Sequence, residues 1–285
     1  MFIPDDFYYK YVDEFFAKHY ACKFVDDKNL YDLLLYDVPQ PKTIARCING
    51  VLMSKEYHPI SQEDFFKLCD VNGEVIVKQS VDSEGGKGVE FYRSTVDDKE
   101  KLLSNLNKKN FVVQEVVKQH PELAKVHPES INTVRIMTLF FDNEVHILST
   151  VVRMGLGGSK VDNASSGGIV CGVDEDGKLK KRAFDTKANQ YDTHPSGVHF
   201  ESVVIPNYLE CKQLCKKLAT RFTQFSHLIS WDFSIGVDGE PILIEVNLSY
   251  GQIDFHQMCN GPVFGSMTEK VIQYIFDNNP LIKYK

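Results

Sequence analysis

The chain has 285 residues, enough for one or two domains at roughly 150 residues each. It is 43% hydrophobic and 25% charged, ordinary for a soluble globular fold, and its net charge of -7 argues against a nucleic-acid partner. No apolar run approaches the ~20 residues that span a bilayer, so membrane insertion is not expected.

The opening MFIPDDFYYKYVDEFF has early acids and no basic stretch, unlike a signal peptide. Seven cysteines with no CxxC pair suit reduced thiols, and a cytoplasmic location is expected. Phe7, Tyr8, Tyr11, Phe15 and Phe16 recur at helical spacing, so residues 5–20 read as an amphipathic helix. Residues 26–37 read as a second helix with an acidic start, and VPQPKTIARCI as a loop entering a strand. Ser61 and Asp64 give a capping-box-like start to a helix over 61–69. EVIVKQS and GVEFYRS read as strands flanking the glycine-rich DSEGGKG. A helix over 95–107 and a buried strand over 111–117 follow.

The rest is richer in strands. Turn signals at Asp142-Asn143, Asp176-Gly177 and Asp238-Gly239 separate apolar runs. Residues 206–222 read as a long amphipathic helix holding Cys211 and Cys215, and a last helix starts near Met267. The elements lack βαβ regularity, so the expected class is α+β. The expected division is an N-terminal region (1–60), a small α+β unit (61–118) and a large strand-rich unit (119–285).

The last hairpin is the most informative. A two-residue loop at 238–239 makes Val237 face Glu240. Carried back along the strands, that register sets Asp232 opposite Glu245, on one face of the sheet. Asn247, two residues on, shares the face. Like charges directly opposite destabilise a sheet, so a positive charge should compensate. Oxygen donors of this kind suit Mg²⁺. A third signal is Arg153, Asn163 and the pair Gly167-Gly168, a set that suits a loop closing on phosphate oxygens. Lys78 ends an apolar strand just before Ser83, Gly85, Gly86 and Gly88. A lysine ahead of its glycines is not the Walker order, in which the lysine follows them.

Together these motifs resemble the ATP-grasp superfamily over roughly residues 24–250. The resemblance implies an ATP-grasp fold with a reduced N-terminal region, and ATP with one or two Mg²⁺ as cofactors. It implies Lys28 and Lys78 as phosphate lysines, Lys87 as a secondary loop charge, and a mobile glycine lid at 83–88. It places Gln114, Glu115 and Val117 along adenine, and Asp232, Glu245 and Asn247 on the metal. Arg153, Asn163, Gly167 and Gly168 would close over the γ-phosphate. QHPELAKVHPESINTVRIMTL and VDNASSGGI further resemble the sugar-transfer-associated and teichuronopeptide-type members. Those imply a ligase joining a carboxylate to an amine through an acyl phosphate, in bacterial capsule or surface-polysaccharide synthesis. The implied partners are small acid and amine substrates, one of them carried on a sugar or nucleotide-sugar, and a homodimer is possible.

Two departures from the pattern matter. Relatives begin with a full α/β domain that helps hold substrate, where this sequence has only a short segment before Asp26. The acceptor pocket is then expected from the segment 249–265, with Gln252, His256 or Gln257 as contacts. Relatives of the D-alanine ligase kind also carry arginine where Ser230 stands, two residues before Asp232. Arg135 or Arg153 is expected to supply that cation. A simple two-residue turn at 142–143 puts these two arginines on opposite faces, and a bulge would change that. His120 and His127 read as polar hinge residues. The alternative activity is phosphorylation of a hydroxyl by the same ATP site.

Overall fold

A computed structural model describes residues 1–81, 88–94, 99–106 and 110–279. The chain divides into two compact units, Lys23–Lys118 and Met1–Cys22 together with Gln119–Lys285. The expected N-terminal region 1–60 is therefore not a body of its own. Its first 22 residues pack with the late chain, and the remainder joins the small unit.

The small unit is an antiparallel sheet ordered β2-β1-β5-β3-β4. Its strands are β1 (Thr43–Ile48), β2 (Val51–Ser54), β3 (Glu74–Gln79), β4 (Val89–Arg93) and β5 (Phe111–Glu115). Two helices belong to it, α1 (Gln62–Val71) and α2 (Lys99–Leu106). The Ser61 hydroxyl accepts from Asp64 N at 3.1 Å and donates to its carboxylate at 2.7 Å, so the expected cap forms. Phe65, Phe66 and Cys69 of α1 pack on Val75, Val77, Tyr92, Phe111 and Val113. Strand alternation then sends Lys78 and Gln114 to the opposite face. Arg46 of β1 pairs with Val112 and shares that face.

The large unit is an antiparallel sheet ordered β10-β9-β8-β7-β6-β11-β12. Its strands are β6 (Thr133–Phe141), β7 (Glu144–Met154), β8 (Ile169–Val173), β9 (Leu179–Phe184), β10 (Gln190–Tyr191), β11 (Leu228–Ile235) and β12 (Pro241–Asn247). Helix α3 (Tyr208–Ala219) contacts β6, β7 and β11, and Trp231 of β11, fully buried, packs against Phe222 just past its end. The Trp231 indole donates to Thr138 Oγ1 at 2.9 Å, so its one polar atom is satisfied. On the other face Met137, Leu139 and Leu228 meet Ile3, Tyr8, Val12 and Phe16 of the N-terminal segment. Ile253 of α4 (Ile253–Asn260) and Val271 and Ile275 of α5 (Thr268–Asn278) complete that cluster.

The N-terminal segment is helical from Asp5 to Phe16, but its middle, Tyr8–Asp13, is a π-helix. Residues 26–37 form a 3₁₀ turn, Lys28–Leu30, and one short helix, Tyr31–Leu34. Helix α4 and strand β2 were not expected from periodicity, because both are short and their apolar pattern is incomplete.

Candidate functional site

The β11–β12 hairpin does set Asp232 opposite Glu245, but by a different route from the simple turn. Ile235 pairs with Pro241 and Gly236 N donates to Glu240 O, so the loop holds three residues, 237–239. Gly239 closes it at φ 90°, a conformation glycine adopts without strain. That shifts the pairing by one. A bulge between Asp232 and Phe233 shifts it back. Ser230 then faces Asn247, and the three expected donors share one face.

The β6–β7 hairpin corrects the second register expectation. Near the turn Phe141 pairs with Glu144, as a two-residue loop requires, but a bulge follows between Met137 and Thr138. Beyond it Thr133 pairs with Arg153, so Arg135 and Arg153 lie on the same face. Arg135 also sits directly across from Asp232 on β11.

These registers bring the charges together. Arg135 grips Asp232 with two bonds, Nε to Oδ1 and Nη2 to Oδ2, both 2.7 Å. Its third nitrogen, Nη1, donates to Gln252 Oε1 at 2.6 Å. Arg153 approaches the same carboxylate, Nη1 to Oδ2 at 3.5 Å, and donates from Nη2 to Asp162 Oδ1 at 3.3 Å. Burial pushes the Asp232 pKa up, but the two guanidiniums outweigh it and hold the carboxyl below its ordinary value. The same acids, Asp162, Asp232 and Glu245, overcome burial to raise the Arg153 pKa. The positive charge that facing carboxylates call for is thus supplied by the chain's own arginines.

The donor set still fits a magnesium ion. A carboxylate has about four acceptor positions; Arg135 fills two of those on Asp232, Arg153 approaches Oδ2 at 3.5 Å, and the Asn247 side chain also hydrogen-bonds the group. Glu245 and Asn247 are half-buried beside it and bring further hard oxygens. No group of three His, Cys, Asp or Glu side chains suited to a metal occurs among the described residues, so a magnesium ion here would rest on two carboxylates and a carboxamide, with phosphate oxygens to complete its shell.

Ser230 cannot replace an arginine. It is buried, and its hydroxyl donates to Gly251 O at 3.4 Å. A Cβ on Gly251 would lie 2.8 Å from that hydroxyl, so a larger residue at 251 would have to displace the Ser230 side chain. Tyr250 and Gln252 flank it at φ 56° and 58°, left-handed values that are costly for side-chain-bearing residues. Gln257 is not an acceptor contact, because its amide clasps Ile3, accepting from the backbone N at 2.9 Å and donating to O at 2.7 Å. His256 is fully buried against Ser149 Oγ at 2.9 Å.

Asn163 opens a 3₁₀ turn, Ala164–Ser166, which ends at Gly167 with φ 95°. A Cβ on Gly168 would lie 2.6 Å from Asp162 O and 2.7 Å from Met154 O. The glycine pair is therefore needed for the tight return of segment 155–168 to β8. His127, at the near end of the unit, bonds Ser159 O at 2.9 Å and so anchors this segment, while His120 caps the short helix Pro121–Ala124.

In the small unit Lys28 and Lys78 are both largely buried, at 8% exposure each. Lys28 N donates to Ser80 O at 2.9 Å, which sets it beside the end of β3 that carries Lys78. Arg46 anchors the Lys28 turn. Its guanidinium bonds Asn29 O and Asp32 and stacks 3.8 Å from the Tyr57 ring. Gln114 is buried with its amide toward Pro41 O at 3.4 Å, while Glu115 accepts from Lys42 N at 3.2 Å and Val117 is half-buried. Gly88 takes φ 73°. Ser83, Gly85, Gly86 and Lys87 lie outside the described residues. Arg46, Asp162 and the Arg135-binding role of Gln252 went unread in the sequence. Only Asp162, adjacent to Asn163, offered a hint.

No curated protein matches the chain in sequence. Among solved structures it resembles D-alanyl-alanine synthetase A from Vibrio cholerae O1 biovar eltor str. N16961, with 14% identity and a TM-score of 0.48 over 90% of this chain and 63% of that one. It resembles D-cycloserine synthetase DcsG at 16% identity and TM-score 0.49, over 88% and 71%. It also resembles the ATP-grasp ligase PsnB, solved with a phosphomimetic variant of its minimal precursor, Mg and ADP, at 15% identity and TM-score 0.50, over 89% and 60%. The chain thus spans less than two thirds of the D-alanyl-alanine synthetase and of PsnB, and the likeness to PsnB is one of fold. No helix among the described residues is long and apolar enough to cross a membrane. A family described as sugar-transfer associated ATP-grasp matches residues 8–273, nearly the whole sequence, and the chain belongs to that family.

Proposed function

We propose that this protein is an ATP-dependent carboxylate–amine ligase. The observation that carries the reading is the patch of Asp232, Glu245 and Asn247 on β11–β12 with Arg135 and Arg153 on the same face. Family membership supports ATP as the phosphoryl donor. The family description supports a sugar-linked acid or amine as one substrate, and we place the reaction in capsule or surface-polysaccharide synthesis as part of this proposal.

Lys28 and Lys78 would neutralise nucleotide phosphates, and Gln114, Glu115 and Val117 would line the base. Asp232, Glu245 and Asn247 would hold Mg²⁺, which when bound draws charge from the β- and γ-phosphate oxygens. Arg153 would hold a γ-phosphoryl oxygen, with Asn163 and Gly167-Gly168 drawing the backbone over it. A substrate carboxylate oxygen attacks the γ-phosphorus, the bond to the ADP oxygen breaks, and an acyl phosphate forms. The amine nitrogen then attacks the acyl carbon, loses a proton, and phosphate leaves. Charge neutralisation and alignment supply most of such catalysis.

The test is ADP release over amino acids, uronic acids and nucleotide-sugars, with hydroxylamine added to trap an acyl phosphate. ADP release should require a carboxylate and an amine together, and hydroxamate should accumulate when hydroxylamine replaces the amine. Glu245→Gln should lower turnover by about 10³-fold or more with an unchanged melting temperature. ADP release with a hydroxyl compound alone, and no hydroxamate, would instead establish a kinase.

A further inference from the structure

The two arginines on the shared face are not equivalent. Arg135 uses Nε, Nη1 and Nη2 in bonds of 2.6 to 2.7 Å, and its fork is committed to Asp232 and Gln252. Among the described residues Arg153 makes the 3.3 Å bond to Asp162 and the 3.5 Å approach to Asp232, and its buried Nε has no hydrogen-bond partner there. A guanidinium has five N–H donors in a fixed fork, so Arg153 has capacity to spare for an anionic oxygen.

What holds Arg153 in place is Asp162, a residue to which the family resemblance assigns no role. It is 5% exposed and uses both oxygens. Oδ1 accepts from Arg153, and Oδ2 accepts from Thr133 N at 3.1 Å, at the start of β6. Thr133 is in turn the cross-strand partner of Arg153. The carbonyl of Asp162 lies where a Cβ on Gly168 would fall, and Asn163 follows directly. Asp162 therefore ties three things together: the arginine with free donors, the first residue of β6, and the glycine turn of segment 155–168.

We infer that Asp162 is a positioning residue for recognition of the terminal phosphoryl group of the nucleotide, acting by fixing the Arg153 fork against the Asn163–Gly168 turn. This rests on the ATP-dependent reading above. Arg135, by contrast, spends three of its five N–H donors on Asp232 and Gln252.

The experiment compares the wild type with Asp162→Asn, which keeps an acceptor for Thr133 N but removes the charge facing Arg153. The probes are ADP and a non-hydrolysable ATP analogue, titrated by calorimetry in the presence of Mg²⁺. The wild type should prefer the analogue. Asp162→Asn should lose about tenfold of that preference, the scale of one bond to a charged group, while its ADP affinity holds. In an Arg153→Gln background the same substitution should change the preference no further. The charge-retaining Asp162→Glu is the second variant and should recover part of the preference. An unchanged preference, equal weakening of both nucleotides, or additive effects of the two substitutions would overturn the assignment of Asp162. Wild-type protein that binds neither nucleotide would overturn the functional reading, and this inference with it.

Discussion

The two units place their candidate ligands in opposite ways. In the small unit, Lys28 and Lys78 are carried on a turn and a strand that other residues secure, chiefly the buried Arg46 with Asp32, Asn29 and Tyr57. In the large unit the candidate ligands are themselves parts of the buried network, since Asp232 is both a proposed metal donor and the anchor of two arginines. Binding and stability should therefore separate in the first unit, while in the second they should be inseparable at Asp232 and its arginines.

The strongest way to break this contrast is Arg135→Leu. It strands the buried Asp232 carboxylate, and losing one partner of a buried ion pair costs about 3–5 kcal/mol. Both the urea midpoint and turnover should fall. A variant of wild-type stability would show that Arg153 alone satisfies Asp232.

Acid should sharpen the contrast next. Burial first, and then the Arg135 charge, depress the His256 pKa from 6.5 to about 3. A depressed folded pKa means stability that is complete above the unfolded value and is lost as pH falls toward the folded one. Between pH 7 and pH 5 this histidine alone should remove about 2 kcal/mol. His194 and His227 are lowered too and lie in the same unit, mainly through burial. The only histidine of residues 23–118 is His58, which is exposed. Hydrogen exchange at the two pH values should show loss of protection in the large unit only, and His256→Gln should flatten the slope. Equal losses in both units would refute the separation.

The smallest effect is expected from Lys78→Met. Nucleotide affinity should drop about tenfold, near 1.4 kcal/mol, with less than about 1 kcal/mol lost from unfolding stability. A large stability loss would mean that Lys78, like Asp232, is a structural member of its unit.

The same contrast explains what could be read in advance. Strand alternation and turn residues revealed the hairpins and the Asp232–Glu245 pairing, although there two departures from ideal geometry cancelled: a three-residue loop and a bulge. In the β6–β7 hairpin no second departure compensated. The bulge at Met137–Thr138 reversed the expected placement of Arg135 relative to Arg153. A bulge has no dependable signature in one sequence, because the extra residue obeys the same apolar preferences as its neighbours. The Lys28 assignment came from family resemblance alone, whereas Lys78 was also marked by its place at a strand end ahead of the glycines. Arg46–Asp32 stayed hidden for a related reason: the pair joins a turn to a strand, where no register rule applies.

The clasp between Gln257 and the Ile3 backbone joins positions 254 residues apart in sequence. Residues 23–118 interrupt the large unit yet are themselves contiguous. As the chain leaves the ribosome, the interrupting unit has all its strands in hand long before its host does. Residues 1–22 must wait for the last helices before Ile3, Tyr8 and Val12 find their partners. The entropy of closing so long a loop grows only with the logarithm of its length, so the delay costs time more than equilibrium stability. During that interval Ile3, Tyr8, Val12 and Phe16 lack the partners that bury them in the folded chain.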